Sequence, residues 1–561
     1  MNKDAYRRAL ETCATEPIHI IGGIQPPGVL LVYQRGTKQV LAASANAAEL
    51  FEAGGIEDIL GQPVHALLDP VVLRLVSEAV ASAEPGPSRL AGVANIGAFG
   101  ALHHVSAHVS GELVHVELEP CGDDADPDES QAALVLDSSR PEELLESLAA
   151  QVQAVSGYSR VMVYKFLHDG AGEVVAEALD GDLPSYFGLR YPASDIPPQA
   201  RALYLRNRVR AIADSRHVPV PVHQHPDLAE PLDMSFDVLR TVSPVHLEYL
   251  RNMGVAASMS VSLVVDGKLW GLVACHHHEP RPVSARTRQA LDLLGRHASM
   301  ILDASALREV VQREEAMRAQ RDAMEIQLHR ATNPLRALRD ALPQALPAVP
   351  ADGIALHVDG TTHAHGSVPD EGAIQAALRW ARTRGRSGVS HTSRCEDWST
   401  APATDACGLL AVPLGRGVDG WMLLFRREQR QTVRWAGRPD EPFQIDPAGN
   451  RIGPRTSFAE WEELVEGSAR PWTRRDVELA QRLQLVLERA GADAVGPRAR
   501  LRKDPVAALE VREHAARLRR LAELLDGAAP GRPRLKRVHG LLSQLERELG
   551  ALAEAESDSP A

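Results

Sequence analysis

Hydrophobic positions change rhythm several times along this 561-residue chain, and each change marks a segment. From about 17 to 120 there are short β-type runs, GVLLVYQ, QVLAASANAAELF, PVHALLDP and HHVSAHVSGELVHVELEP, with room for one or two helices between them. The last run alternates apolar and polar residues over ELVHVELE, the pattern of an antiparallel strand with one face in water. The acidic stretch CGDDADPDES at 121–130 then reads as a linker that closes a small α+β domain.

Beyond it, PEELLESLAAQVQAVSG has helical spacing, and RVMVYKFL and GEVVAEAL form a strand pair. ASMSVSLVVDGKLWGLVACHHH forms a second pair with its turn at Asp266 and Gly267. Between the pairs, about 180 to 235 is irregular, and loops this long inside a compact domain are usually functional. A sheet under such loops suits a buried ligand.

Residues 282–330 contain one glycine and no internal proline, which predicts a helix about 70 Å long. A third α+β domain follows over roughly 331–495. It contains VRWAGRPDEPFQIDPAGNRIGPRTSFAEWEELVEGSARPW, too long for an ordinary hairpin loop. Finally Val511, Ala515, Leu518, Ala522 and Leu525 recur in steps of four and three. The segment GAAPGRP interrupts, and Leu535, Val538, Leu542, Leu545, Leu549 and Leu552 resume the rhythm. These are two heptad-patterned helices, either a hairpin packed on itself or a surface for a dimer or partner.

Length agrees with this division, since domains of roughly 100–200 residues imply three or four units. Hydrophobic residues at 44% and charged ones at 24% are ordinary for a globular protein. No run approaches the roughly 18–20 apolar residues of a membrane span. The opening MNKDAYRRALETC also lacks the apolar run of a secretory signal, so a cytoplasmic location without a membrane partner is expected. A net charge of −13, with arginines scattered among acids, argues against nucleic acid.

Five cysteines have neither disulfide-framework nor zinc spacing, which predicts reduced, buried thiols at Cys121, Cys275, Cys395 and Cys407. Cys13 stands apart, on a leading tail with no core to fill.

Aromatic residues make up only 4% of the chain, yet Tyr186, Tyr191, Tyr204 and Tyr249 gather in one stretch with several arginines, His246 and the run His276–His278. Aromatic walls with a few converging polar groups describe a pocket for a flat, conjugated, anionic ligand. No metal site is expected, because neighbouring residues of CHHH point to opposite faces of a strand. Asp195 has an ordinary structural alternative as the cap of the helix PPQARALYLRN. Arg206 and Arg208 read as a solvated face of that helix.

The stretches CATEPIHIIGGIQPPG, RYPASDIPPQARALY, SPVHLEYLRNMGV, WGLVACHHH and GPRTSF, in that order over about residues 10–495, resemble the signature segments of bacterial phytochromes, the biliverdin-binding red and far-red light sensors. The resemblance implies an α+β multidomain chain: a tail over 1–16, a PAS domain over 17–125, a GAF domain over 126–305 and a PHY domain over 306–495. Antiparallel sheets joined by a long helical spine are implied, with the helical segment 496–561 as output.

The resemblance also implies roles. Cys13 corresponds to the cysteine that forms a thioether with the bilin, brought to the pocket because the tail passes through a loop of the GAF domain. Asp195, followed by Ile196 and Pro197, corresponds to the aspartate whose backbone carbonyl faces the pyrrole N–H groups, with His246 nearby. Arg210 and Arg240 correspond to the arginines that hold the propionates, with Ser243, Ser258 and Ser260 beside them. His276 corresponds to the histidine at the D-ring carbonyl, and Tyr164, Tyr191 and Tyr249 to its aromatic cage. Tyr204 belongs to the same pocket.

Residues 433–472, bounded by Trp435 and Trp472 and containing Pro454, Arg455 and Ser457, resemble the PHY tongue. In the family this element exchanges contacts with the aspartate and converts from hairpin to helix. Phe458, Trp461 and Leu464 or Val465 fall at helical spacing, consistent with both forms.

Two departures from the family are visible. Pro27 stands where a histidine is common in IQPHG, and WAG at Trp435 stands where a second glycine is usual. Many relatives carry a histidine kinase after PHY, but nothing after residue 500 resembles its nucleotide-binding boxes. The expectation is therefore a homodimeric photoreceptor that is not itself an enzyme and acts on a separate protein. The alternative is a light-regulated histidine kinase working with a catalytic domain absent from this chain.

Overall fold

The computed structural model describes residues 16–81, 86–97, 100–122, 141–330, 334–385, 388–399, 406–414, 420–429, 431–438 and 454–494. Cys13 and the heptad-patterned segment 496–561 lie outside them. The chain divides into two units, residues 1–309 with 432–463, and residues 310–431 with 464–561.

The first unit holds two sheets. One has seven strands in the spatial order Gly23–Ile24, Val220–Gln224, Val40–Ser44, Val29–Gln34, Leu113–Pro120, Ala101–Ser110 and Arg89–Ile96. One face packs Leu31, Val40, Val105, Val116 and Leu118 beneath the helix Pro70–Ala79. Asp69 caps that helix, accepting from the N–H groups of Val71 and Val72.

The second face differs from the expectation of a water-facing side. His115 and Glu117 are fully buried, as is Asp237 opposite them. The cover is the 213–243 region, whose Leu232, Met234 and Leu239 pack on Leu30 and Val32. Alternation was present in the strand, but cover came from distant sequence.

The strand Val220–Gln224 is itself part of that cover. It pairs with Gly23–Ile24 on one side and Val40–Ser44 on the other. Further bonds join Met234 N–H to the His19 carbonyl, Gln25 N–H to the Leu239 carbonyl and Thr241 N–H to the Gly23 carbonyl. The leading segment is thus held along both sides by a later loop, and Pro27 is exposed without interrupting this arrangement.

The second sheet runs Val209–Ile212, Ala257–Val265, Lys268–His277, Arg160–Phe166, Gly172–Leu179, Arg190–Tyr191, Gln431–Ala436 and Glu460–Val465. Both expected strand pairs form, and the turn places Asp266 and Gly267 at φ 50° and 66°. The helix Pro141–Ser156 buries Leu144, Leu145, Leu148 and Val152 against this sheet. Each such side chain contributes roughly 1.5–3 kcal/mol, against a few tenths for a surface helix pair, so packing holds this helix in place. The predicted long helix is continuous over Ala285–Arg330, 46 residues, and buries Leu291, Leu294, Ala298 and Leu302.

The second unit contains a five-stranded antiparallel sheet, Thr361–Gly366, Gly353–Val358, Gly420–Arg427, Ala406–Pro413 and Ser390–Thr392. Trp472, predicted at the tongue's end, belongs to this unit's core. Its indole N–H donates to the Thr392 carbonyl, and the Arg426 guanidinium lies 3.7 Å from its ring centroid. Of the four cysteines expected to be buried, Cys275, Cys395 and Cys407 are, whereas Cys121 is half-buried. Among the described residues no helix is long and apolar enough to cross a membrane.

Candidate functional site

Strand alternation builds the floor of a cavity in the first unit. Along Ala257–Val265, Ala257, Met259, Val261 and Leu263 enter the core, which leaves Ser258 and Ser260 to the other face. Along Lys268–His277 the same period sends Val273 and Cys275 to the core and Leu272, Ala274 and His276 to the cavity. Cys275 and His276 thus face opposite sides of the strand, whereas one ligand atom each of His277, His278 and Glu279 lies within 4.8 Å of the other two, contrary to the expectation that neighbours in CHHH point apart. Met162 and Tyr164 come from Arg160–Phe166.

Loops and two short helices form the rest. Ile196, Pro197 and Tyr204 line the cavity from the segment around Pro198–Arg206, and Ser243, His246 and Tyr249 from the helix Pro244–Asn252 and its cap. Tyr191, Asp195, Arg210 and Arg240 complete this set, so every pocket residue predicted after Cys13 lines the same cavity. Sequence reasoning missed Glu16 and Ile18, which line it from the leading segment, and apolar residues such as Met162, Leu203 and Met253, which carry no motif.

The two arginines set the electrostatics. Arg210 is 7% exposed and donates only to backbone carbonyls, those of Asp237, Val238 and Thr241, while its Nε has no partner. Arg240 is 4% exposed, donates to the Ile18 carbonyl, and also leaves Nε unpartnered. Burial, and then the neighbouring Arg240, pull the Arg210 pKa well below its ordinary value. Two adjacent buried cations with unused donors form a site short of an anion.

Ser243 Oγ donates to the Glu16 carboxylate at 3.0 Å and accepts from the Val245 N–H. Burial with Arg210 nearby pushes His246 down to about 4, and burial with Arg160 nearby pushes His276 down to about 3, so both rings are neutral near pH 7. The His276 Nδ1 and the Tyr191 hydroxyl have no partner. Tyr164 and Tyr191 stand 5.8 Å apart between ring centroids, and a Cβ on Gly172 would fall 1.8 Å from the Tyr164 ring. Glycine there gives the ring its place.

At the cavity's edge Asp195 does not cap a helix. The following helix starts after Pro197 without a side-chain cap. Instead the Asp195 carboxylate accepts from Tyr249 Oη at 2.9 Å and from Arg455 Nε at 3.1 Å and Nη2. Burial pushes the Asp195 carboxyl upward, with the Arg455 guanidinium and the Tyr249 hydroxyl opposing that shift.

Pro454 and Arg455 line the cavity, while Ser457 and Trp435 do not. Trp435 instead pairs with Arg190 and donates from Nε1 to Glu463. Arg455 Nη1 also donates to the Ala436 carbonyl, at the alanine of WAG. Gly437 follows at φ 79°, and a Cβ there would lie 2.4 Å from the Ser457 carbonyl oxygen. The described tongue residues contribute two neighbouring strands of the second sheet, Gln431–Ala436 and Glu460–Val465, and Phe458 meets Tyr249 edge-on at 5.2 Å.

Three family models match the chain: a PAS fold over residues 13–121, a GAF domain over 140–302 and a phytochrome region over 317–493. A bacteriophytochrome of Pseudomonas aeruginosa is 35% identical over 492 residues, 85% of this chain and 66% of the relative. Another from Xanthomonas campestris is 35% identical over 85% of this chain and 78% of its own length. The chain therefore spans about two thirds to four fifths of these relatives. Among solved structures, a bacteriophytochrome from R. palustris superposes with TM-score 0.72 at 32% identity, covering 86% of this chain and 99% of that one. A Stigmatella aurantiaca phytochrome photosensory core gives 0.72 at 35% identity, over 86% and 98%. None of the three matched models is a kinase catalytic domain.

Proposed function

The chain belongs to the bacteriophytochrome family, with PAS, GAF and PHY domains, and we propose that it is a red and far-red light receptor built around biliverdin IXα held as a thioether on Cys13. The observation that carries this reading is the pair of buried arginines with unused donors inside a tyrosine-walled cavity. Such donors call for carboxylates, and such walls for flat rings.

When bound, the bilin would supply the chemistry, light absorption and isomerisation at the double bond between rings C and D. Arg210 and Arg240, with Ser243, Ser258 and Ser260, hold the propionates. The Asp195 carbonyl would accept hydrogen bonds from the pyrrole N–H groups, with neutral His246 nearby. His276 hydrogen-bonds the D-ring carbonyl, and Tyr164, Tyr191 and Tyr249 bound the space in which that ring turns. Ile196, Pro197 and Tyr204 close the remaining wall.

Output passes through the tongue, where Arg455 holds Asp195 in the hairpin form and Ser457 replaces it when the segment becomes helical. A bistable element biased by a ligand is what such a switch needs. The signal then travels along Ala285–Arg330 of a homodimer to a separate partner protein. Leu293, Met300 and Leu307 support the dimer, because they recur every seven residues on that helix and are 63%, 70% and 62% exposed.

The test is co-expression with a biliverdin source and absorption spectra before and after red light. A strong red band that shifts reversibly to far-red supports the reading, and a colourless protein sinks it. Cys13→Ser should still bind pigment but release it in denaturant. Retention there would overturn the attachment. An ATP phosphorylation assay on the purified chain, in both light states, separates the receptor from a kinase.

A further inference from the structure

A second buried polar cluster lies outside the cavity lining. His108, on Ala101–Ser110, and His115, on Leu113–Pro120, are direct cross-strand partners. Asp237 meets them from the later loop, 122 positions beyond His115. His108 is 3% exposed, and His115 and Asp237 are fully buried. His115 Nδ1 stands 3.0 and 3.1 Å from the two Asp237 oxygens, and His108 Nε2 is 3.9 Å from Oδ1. One ligand atom from each residue lies within 4.8 Å of the other two.

Hydrogen bonding leaves this cluster incomplete. Neither ring nitrogen of His108 has a partner, and neither does His115 Nε2. Burying such a group without a partner is costly, and about nine in ten buried polar groups avoid it. At 3.9 Å the His108–Asp237 contact is too long for a hydrogen bond. It does suit two ligands of one small cation, because donors bound at about 2.0–2.2 Å in tetrahedral geometry stand roughly 3–4 Å apart. The His115–Asp237 hydrogen bond is the resting arrangement that the ion would open.

We propose that His108, His115 and Asp237 bind a divalent cation of the zinc class. Two imidazoles and one carboxylate match that class, whereas calcium and magnesium take oxygen donors. The ion would fasten the sheet of the first domain to the loop that carries Arg240. Arg210 donates to the carbonyls of Asp237 and Val238, so the same fastening fixes the second guanidinium. The ligands escape a spacing search because two sit on a hairpin and the third in another domain.

The full chain, purified without pigment so that bilin cannot take up the metal, is incubated with zinc chloride, desalted and assayed by elemental analysis. One zinc per chain is expected, with a higher melting temperature. His108→Leu removes a ring with no hydrogen bonds, so the fold should survive while affinity drops by more than the roughly 10–100-fold that loss of an outer-shell partner costs. His278→Ala is the control, because His277, His278 and Glu279 form a second group within 4.8 Å, partly exposed. No retained zinc, or zinc lost with His278→Ala instead, overturns the proposal. If His108→Leu does not fold, cobalt in the wild-type chain decides: tetrahedral ligand-field bands support the site, and the spectrum of the hydrated ion overturns it. Zinc binding and pigment binding are read separately and stand or fall apart.

Discussion

Arg455 donates to both carboxylate oxygens of Asp195 across 260 positions of sequence, and only 3% of either side chain reaches water. Removing one partner of a buried ion pair costs about 3–5 kcal/mol, because the other charge stays behind unpaired. Arg455→Ala should therefore loosen the tongue hairpin, raising hydrogen exchange in residues 432–438 and 454–463 by about a hundredfold or more. Exchange in Ala257–Val265 should stay as it was. Unchanged protection in the hairpin would mean that the pair does not hold it.

Arg240 should govern affinity more than fold, since its one hydrogen bond in the cavity wall goes to the Ile18 carbonyl. A charge-assisted hydrogen bond contributes about 1.5–3 kcal/mol, so Arg240→Gln should weaken reversible bilin binding by roughly 10–150-fold. Titration in a Cys13→Ser background keeps binding reversible and measures this directly. Equal affinity would remove Arg240 from the propionate site.

His246 gives a pH dependence of defined sign. Its folded pKa is about 4 against an ordinary value near 6.5, so unfolding lets the ring take a proton that the folded state refuses. Stability of the pigment-free chain should then fall as pH drops from about 6.5 towards 4, by about 3 kcal/mol from this group. Urea unfolding across that range should lose about one proton of linkage in His246→Gln. An identical slope in the variant would contradict the assignment.

Met300 sits mid-stripe between Leu293 and Leu307 and is 70% exposed. Met300→Arg places two like charges at the seam of a parallel or antiparallel pair and should shift sedimentation from dimer to monomer at micromolar concentration. A monomeric wild-type chain, or a variant that still dimerises, rules out this face.

Much of this molecule was legible locally. Period-two alternation along ASMSVSLVV and LWGLVACHH sorts core from cavity residues without knowledge of neighbours. The glycine-poor run before residue 330 likewise fixes its helix. Less legible was anything decided by a distant segment. ELVHVELE reads as half-solvated because nothing nearby says that residues 213–243 cover its polar face. The local pattern around Asp195 offers only a helix cap; its partner Arg455, 260 positions away, is reached through the family resemblance and not through spacing. Trp472 reads as the end of the tongue because its packing under Arg426 depends on a sheet assembled elsewhere in sequence. Glu16 and Leu203 had no signal beyond ordinary composition.

The strand Val220–Gln224, lodged between Gly23–Ile24 and Val40–Ser44, sets an order of events during synthesis. At roughly 5–20 residues per second, the first sheet must wait on the order of ten to thirty seconds at the ribosome for a strand encoded about 180 residues later. Until then its inner strands present an open edge, the kind of edge that invites pairing with other chains. A strand of the second domain thus closes an edge of its neighbour's sheet.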